Sequence, residues 1–245
     1  MVKGKKASSE ESYEHLLNMI LTKKIMPGER IPELKIAEQL NVSRTPVRDA
    51  MKRLENEGLI EIFPKRFAQV KDYSIKEIQN IGAVRLALDT LAVRLASLHG
   101  SQLDFIKMLD LAKACERASI DGDLLLRSQA DCDFHLALSN ISKNSSLVKI
   151  QKSLYLSIQF IMIHHPNPNS DEKRQLKQHY ELVQALSDHK ESEAIAIITD
   201  HLASFYALGS DFPPGFFLNQ SINPIEQAIA WEESETGEKI LKLDK

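Results

Sequence analysis

Between residues 74 and 208 the apolar side chains recur at three- and four-residue steps, and no stretch alternates as a strand would. That period lays an apolar stripe along each of several helices, so this part of the chain can build a core only by packing helix on helix. Ser74-Ile75-Lys76-Glu77 reads as a capping box opening a long helix that stops at His99-Gly100. Ile78, Ile81, Val84, Leu88, Leu91, Ala92 and Leu95 are its expected apolar side. Further helices are expected at 102–119, 123–141, 145–163, 171–188 and 190–208, separated by polar, Gly and Pro breaks. The reading for residues 76–208 is an all-α bundle of six or seven helices.

The front of the chain obeys a different order. Tyr13, Leu16, Leu17, Ile20 and Leu21 mark an amphipathic helix, and Met26-Pro27-Gly28-Glu29-Arg30 a turn. A short helix is expected from Glu33 to Leu40, and a third begins with Ser43 as its N-cap and Pro46 in its first turn. Val47, Ala50, Met51 and Leu54 form its buried stripe, and Gly58 ends it. Residues 59–63 and 68–70 read as two short strands around Pro64-Lys65-Arg66-Phe67. Helix, helix, turn, helix, hairpin is the order of a winged helix-turn-helix, expected over residues 1–72. Ser43, Arg44, Thr45 and Arg48 crowd the start of the third helix, where arginines reach guanine edges and hydroxyls take phosphates. Arg53, Lys65 and Arg66 are candidate contacts to the DNA backbone.

The stretch Pro-Gly-Glu-Arg-Ile-Pro-Glu, followed by Ile-Ala-Glu-Gln-Leu-Asn-Val-Ser-Arg-Thr-Pro-Val-Arg-Asp-Ala-Met-Lys-Arg-Leu-Glu-Asn-Glu-Gly-Leu-Ile, closely resembles the DNA-binding domain of GntR-family bacterial transcription regulators over about residues 12–70. Two positions depart from that pattern. Phe67 stands where the family usually has a glycine at the wing tip, and Leu34 where many relatives carry a phosphate-binding arginine.

In the rear segment, Asp131 and His135 are four apart in Asp-Cys-Asp-Phe-His, so a helix points both off one face. With His179 and His201 from two later helices they offer three imidazoles and a carboxylate, a set suited to zinc, with nickel, manganese, iron or cobalt as alternatives. Arg85, Leu88-Asp89, Asp131-Cys-Asp-Phe-His135, Asn144, His179 and His201 resemble the FCD-type ligand-binding domain of the FadR-like branch of the same family. The resemblance implies that Asp131, His135, His179 and His201 hold a divalent metal in one cavity, leaving positions open to water or an effector carboxylate. Arg85, inside an apolar helix, needs an anion. Either Asp89 or Asp131 supplies it, or an effector carboxylate does. Cys132 and Asp133 point away from the Asp131 face, Cys132 as packing and Asp133 as a supporting or solvent group. His15, His99, His164, His165 and His189 read as surface or helix-end residues.

Charge follows the same division. Residues 1–72 hold 14 Lys and Arg against 11 Asp and Glu, a net of +3; the remainder holds 17 against 23, a net of −6. No run of eighteen apolar residues argues for a membrane span, and two cysteines fit a reducing cytoplasm. Residues 209–245 form an extension with Phe216, Phe217, Leu218 and Trp231, whose apolar character points to packing on the domain or a partner subunit. The expected function is a homodimeric cytoplasmic transcription regulator, a repressor, reading a pseudo-palindromic double-stranded operator and responding to a small carboxylate effector. A regulator sensing the metal itself is the first alternative. A metal-dependent hydrolase is the second, and it lacks a residue placed as a general base.

Overall fold

The computed structural model describes residues 9–209, so the extension expected to pack on the domain or a partner lies outside the described residues, Gly209 apart. The winged part contains α1 (Ser9–Leu21), α2 (Glu33–Gln39), α3 (Arg44–Asn56), β1 (Ile60–Phe63) and β2 (Phe67–Val70). The remainder is α4 (Ile75–His99), α5 (Gln102–Ile120), α6 (Leu124–Ile141), α7 (Ser145–His164), α8 (Glu172–Ser187) and α9 (Glu191–Phe205). Among the described residues the bundle therefore has six helices and no strand.

Local chemistry sets most boundaries. Ser74 caps α4 reciprocally with Glu77, and Ser101 caps α5 with Asp104. The amide N–H groups of Leu126, Leu147 and Arg174 donate to Asp123, Asn144 and Asp171 at the starts of α6, α7 and α8. Ser43 departs from this pattern. It occupies the N-cap of α3 in extended conformation, but its hydroxyl makes no capping bond.

β1 and β2 pair antiparallel, Ile60 opposite Val70 and Phe63 opposite Phe67. Phe67 is thus not at the wing tip as expected. It is the first residue of β2, its ring 4.8 Å from that of Phe63 and 4.2 Å beneath the Arg30 guanidinium. The tip is Pro64-Lys65-Arg66, and Lys65 takes the left-handed conformation (φ 59°) that the family's glycine would favour. Burying two aromatic rings on each other and under a cation holds the hairpin end without a glycine.

The long helix α4 corrects the sequence reading most clearly. Its buried face carries Gly82, Arg85, Leu86, Asp89, Thr90, Ala92, Val93 and Ala96, whereas Val84 and Leu91 are exposed and Ile78, Ile81, Leu88 and Leu95 only half-buried. The helix has two stripes of helical period, and the one richer in small residues and containing a charged pair faces inward. Small side chains there admit close neighbours: a Cβ on Gly82 would lie 2.3 Å from the Tyr206 ring.

One continuous core runs through both parts. Leu16, Ile20, Leu54 and Val70 of the winged part join Phe160 and Ile161 of α7 around Tyr73. Polar contacts cross at the same place. The Tyr73 hydroxyl donates to the Gly58 carbonyl (2.7 Å) and the Ser157 hydroxyl to the Glu57 carbonyl (2.9 Å). His164, expected at a surface or helix end, lies at the end of α7 with its Nε2 2.9 Å from the Ile20 carbonyl, a distance that makes it the donor.

Candidate functional site

Helix α6 carries Asp131 and His135 on its inner face, α8 brings His179 and α9 brings His201. One ligand atom from each of these four buried residues lies within 4.8 Å of every other. Asp131 Oδ1 is 3.4 Å from His179 Nε2, and Asp131 Oδ2 is 3.9 Å from His135 Nε2. The three imidazole centroids are 4.8 to 5.6 Å apart. His179 is held flat by stacking on Phe134 at 4.3 Å.

The cluster is unfinished as a set of hydrogen bonds. His135 Nε2, both nitrogens of His179 and His201 Nδ1 are buried with no hydrogen-bond partner among the described residues. Each orphaned polar atom costs about 1–3 kcal/mol. Burial pulls the His179 and His201 imidazoles below their ordinary pKa, His201 well below, with His179 and His135 adding to the effect on His201. Burial alone would push the Asp131 carboxyl up, but the His179 ring at 3.4 Å, the neighbouring His135 and the Arg85 guanidinium carry it well below the usual range. Neutral imidazole lone pairs and an ionised carboxylate are the donor state a divalent cation requires. The residues fit such an ion, and nitrogen-rich tetrahedral or octahedral chemistry embraces zinc, nickel, manganese and iron alike.

Around the four lies a support that spacing did not reveal. His135 Nδ1 is 2.8 Å from Asp89 Oδ2, which assigns its proton to Nδ1 and leaves Nε2 facing the cluster. Gln151 of α7 donates to the other Asp89 oxygen. Arg85 donates to Asp131 Oδ2 (3.2 Å) and to the Tyr206 hydroxyl (3.0 Å), and its Nε is 3.7 Å from Asp89 Oδ2. Both protein carboxylates that the sequence offers Arg85, Asp131 and Asp89, lie within its reach. Burial would lower the Arg85 pKa, but Tyr206, Asp131 and Asp89 raise it, so it stays cationic. Two buried carboxylates, Asp131 and Asp89, thus face one buried guanidinium, that of Arg85. Cys132 is buried with Ile158 and Met162 in a packing role, and Asp133 accepts from the Tyr155 hydroxyl at 2.8 Å. A cavity of only about 10 Å³ adjoins the cluster, lined in part by Arg85, His135, Gln151 and Tyr155.

At the other end, Ser43, Arg44, Thr45 and Arg48 are exposed at the N-terminus of α3, and Lys65 and Arg66 are exposed at the wing tip. Arg44 Nε and Arg48 Nε both meet Glu33 Oε1, at 2.6 and 2.8 Å. Burial would raise the Glu33 pKa, but the two arginines lower it. Arg53 turns toward α1 instead. It contacts Glu10 (2.8 Å) and Glu57 (3.2 Å) and lies 3.6 Å over the Tyr13 ring, so it braces α1 against α3.

Comparison with known proteins follows the same division. Residues 8–70 match the family model described as bacterial regulatory proteins, gntR family, and residues 80–204 match the FCD domain. The chain is 30% identical over 183 residues to the Nta operon transcriptional regulator of Aminobacter aminovorans, covering 74% of this chain and 84% of that protein. It is 26% identical over 201 residues to the HTH-type transcriptional repressor RspR of Escherichia coli, covering 79% and 85%. A transcriptional regulator GntR from Rhodococcus sp. RHA1 shares the fold, with TM-score 0.67 at 21% identity over 82% of this chain and 98% of that one.

Proposed function

The chain belongs to the bacterial gntR regulatory family and carries an FCD domain, and from that premise we propose that it is a homodimeric repressor whose helical part binds a divalent metal and a small organic acid. That it is a DNA-binding transcription regulator and not an enzyme follows from the family and its relatives. Among the described residues no helix is long and apolar enough to cross a membrane; the proposed setting is the cytoplasm. The proposed division is residues 1–72 for DNA, 76–208 for metal and effector, and 209–245 as an extension.

The observation that carries the reading is the convergence of Asp131, His135, His179 and His201, with four buried imidazole nitrogens lacking partners. A divalent ion there would satisfy those nitrogens and leave coordination positions for a carboxylate. Zinc leads the candidates, with nickel, manganese and iron behind it. Arg85, between Asp131 and Asp89, supports an incoming carboxylate from the other side by exchanging one anion for another.

The cavity beside the cluster is about the size of one water, so an organic acid enters only if Gln151 and Tyr155 give way. Both stand on α7, which further along carries Ser157, Phe160 and His164 against the winged part. Effector binding would therefore act on α7 as well as on the linker at residues 71–75, favouring one placement of the paired winged parts over another. The test is operator binding by fluorescence anisotropy, using a duplex selected from random sequence, with zinc and then a panel of di- and tricarboxylates. A carboxylate that changes affinity only when zinc is present supports the reading. Equal affinity under all conditions sinks it.

The same small cavity favours a second reading, in which the metal alone is the signal. Full regulation by zinc titration, with no carboxylate adding to it, would select that alternative.

A further inference from the structure

Where α9 ends, the chain passes beside a cavity of about 420 Å³ lined chiefly by Tyr73, Ile75, Ile78, Ile161, Phe205 and Tyr206. The lining draws on the linker, the start of α4, the end of α7 and the end of α9, so the cavity lies where the winged part joins the bundle. Most of its polar groups are engaged elsewhere. The Tyr73 hydroxyl donates to the Gly58 carbonyl and the Tyr206 hydroxyl accepts from Arg85. Asn167 donates to the Ser204 carbonyl and accepts from the Asn169 amide. His165 also lines the cavity, with Nε2 buried and unpartnered among the described residues. What remains is apolar, and Ile75 in that lining is 76% exposed.

We infer that this cavity is the docking site of the chain's own segment 212–218, Phe-Pro-Pro-Gly-Phe-Phe-Leu, with Phe216 and Phe217 as its occupants. The approach is fixed by the last described residues. The Leu208 amide donates back to the Ala203 carbonyl (2.9 Å), and Gln79 donates to the Ala207 carbonyl (2.9 Å). Ala207, in the left-handed region at φ 49°, itself lines the cavity. Phe216 is seven residues beyond Gly209, a reach of up to about 24 Å, and Pro213-Pro214-Gly215 between them is a turn signal. From Phe212 to Ile225 no residue is charged, in a chain where 27% are, so segment and lining match in character. A cavity of about 150 Å³ holds benzene, so roughly two phenyl rings fit here, leaving a backbone group to meet His165 Nε2. A free apolar molecule competes poorly, because a tether this short supplies an effective concentration on the order of millimolar. Docking clasps Tyr73 and Ile75 and so ties the linker to α7 and α9, whether or not a metal is bound.

Disulfide trapping in the full chain tests this, with Ile75→Cys and Leu218→Cys together, and Leu103→Cys with Leu218→Cys as the control. Cys115 and Cys132 are buried and form an unreactive background. A disulfide needs Cα atoms within about 7 Å. Exposed Leu103 lies past the far end of α4, whose 25 residues span about 37 Å. Mild oxidation should close an intrachain disulfide in the first pair at least tenfold faster than in the control. Independently, Phe216→Ser with Phe217→Ser should speed amide hydrogen exchange at residues 75–79 and 161–165 at least tenfold and leave α5 unchanged. Disulfides that form between chains instead of within them overturn the intrachain docking in favour of a second copy. Equal trapping in the two pairs, or exchange that the serines leave unaltered, overturns it and assigns the cavity to a separate small apolar ligand.

Discussion

The start of α3 and the buried His/Asp cluster each place basic groups beside carboxylates, yet the two arrangements differ in kind. Arg44 and Arg48 share Glu33 at the surface, both arginines more than half exposed. Arg85 shares Asp131 and Asp89 at 2% exposure or less for Arg85 and Asp89. A solvated pair contributes about 0–1 kcal/mol, so Glu33 can release its arginines to phosphate or guanine at little cost. A buried pair is weak evidence for stability, yet losing one partner strands a charge at several kcal/mol. Surface pairs therefore suit exchange, and buried ones fix geometry.

That contrast breaks first, and most heavily, at Arg85. Arg85→Met should lower unfolding free energy by about 3–5 kcal/mol in urea titration, because Asp131 and Asp89 would then repel without relief. A loss below ~1 kcal/mol would show the interior pair to be as replaceable as the surface one. Metal sharpens it next. Zinc at a hundredfold excess over its dissociation constant should add about 2.7 kcal/mol of stability, read as a thermal shift and reversed by chelator. His179→Ala should remove that shift, and a variant keeping the full response would refute the ligand assignment.

Acid comes third. His179 and His201 are held below the imidazole value of about 6.5 in the folded chain, so below that pH the unfolded chain binds more protons. Their contribution is complete above about pH 6.5 and is lost as pH falls from there. Glu33, lowered from the carboxylate range, loses its contribution only near pH 4. The melting temperature of metal-free protein should drop between pH 7.5 and 5.5, and a flat profile would contradict the buried assignment. Arg48→Ala should cost about 1–3 kcal/mol in operator affinity with little change in folding. Smallest of all, Glu33→Gln should alter stability by no more than about 1 kcal/mol, measured in the same urea titration.

Much of this was legible because the signals are local. The Ser74–Glu77 box starts α4 where the sequence places it, and Gly58, at φ +81°, follows the end of α3. Asp131 and His135 share a helix face because they are four apart. What escaped depends on contacts between distant segments. Periodicity picked out the larger apolar side chains of α4, and nothing local says that the smaller ones beside Arg85 and Asp89 meet α6 and α9. Nothing near Ser43 shows that its hydroxyl stays out of the cap, and no spacing links Asp89 to His135 or Gln151 to Asp89. Phe67 looked like a tip residue because its partners, Phe63 and Arg30, are identified only once the hairpin register is known.

Gly58 follows the end of α3 and also lies between the winged part and α7. A Cβ there would sit 2.9 Å from both the Ser157 and the Tyr73 hydroxyl oxygens. The junction thus has a clearance of less than one methyl group, which ties the end of α3 to the position of α7. A single added carbon at residue 58 would press on both hydroxyls and, at φ +81°, would also strain the turn that ends α3.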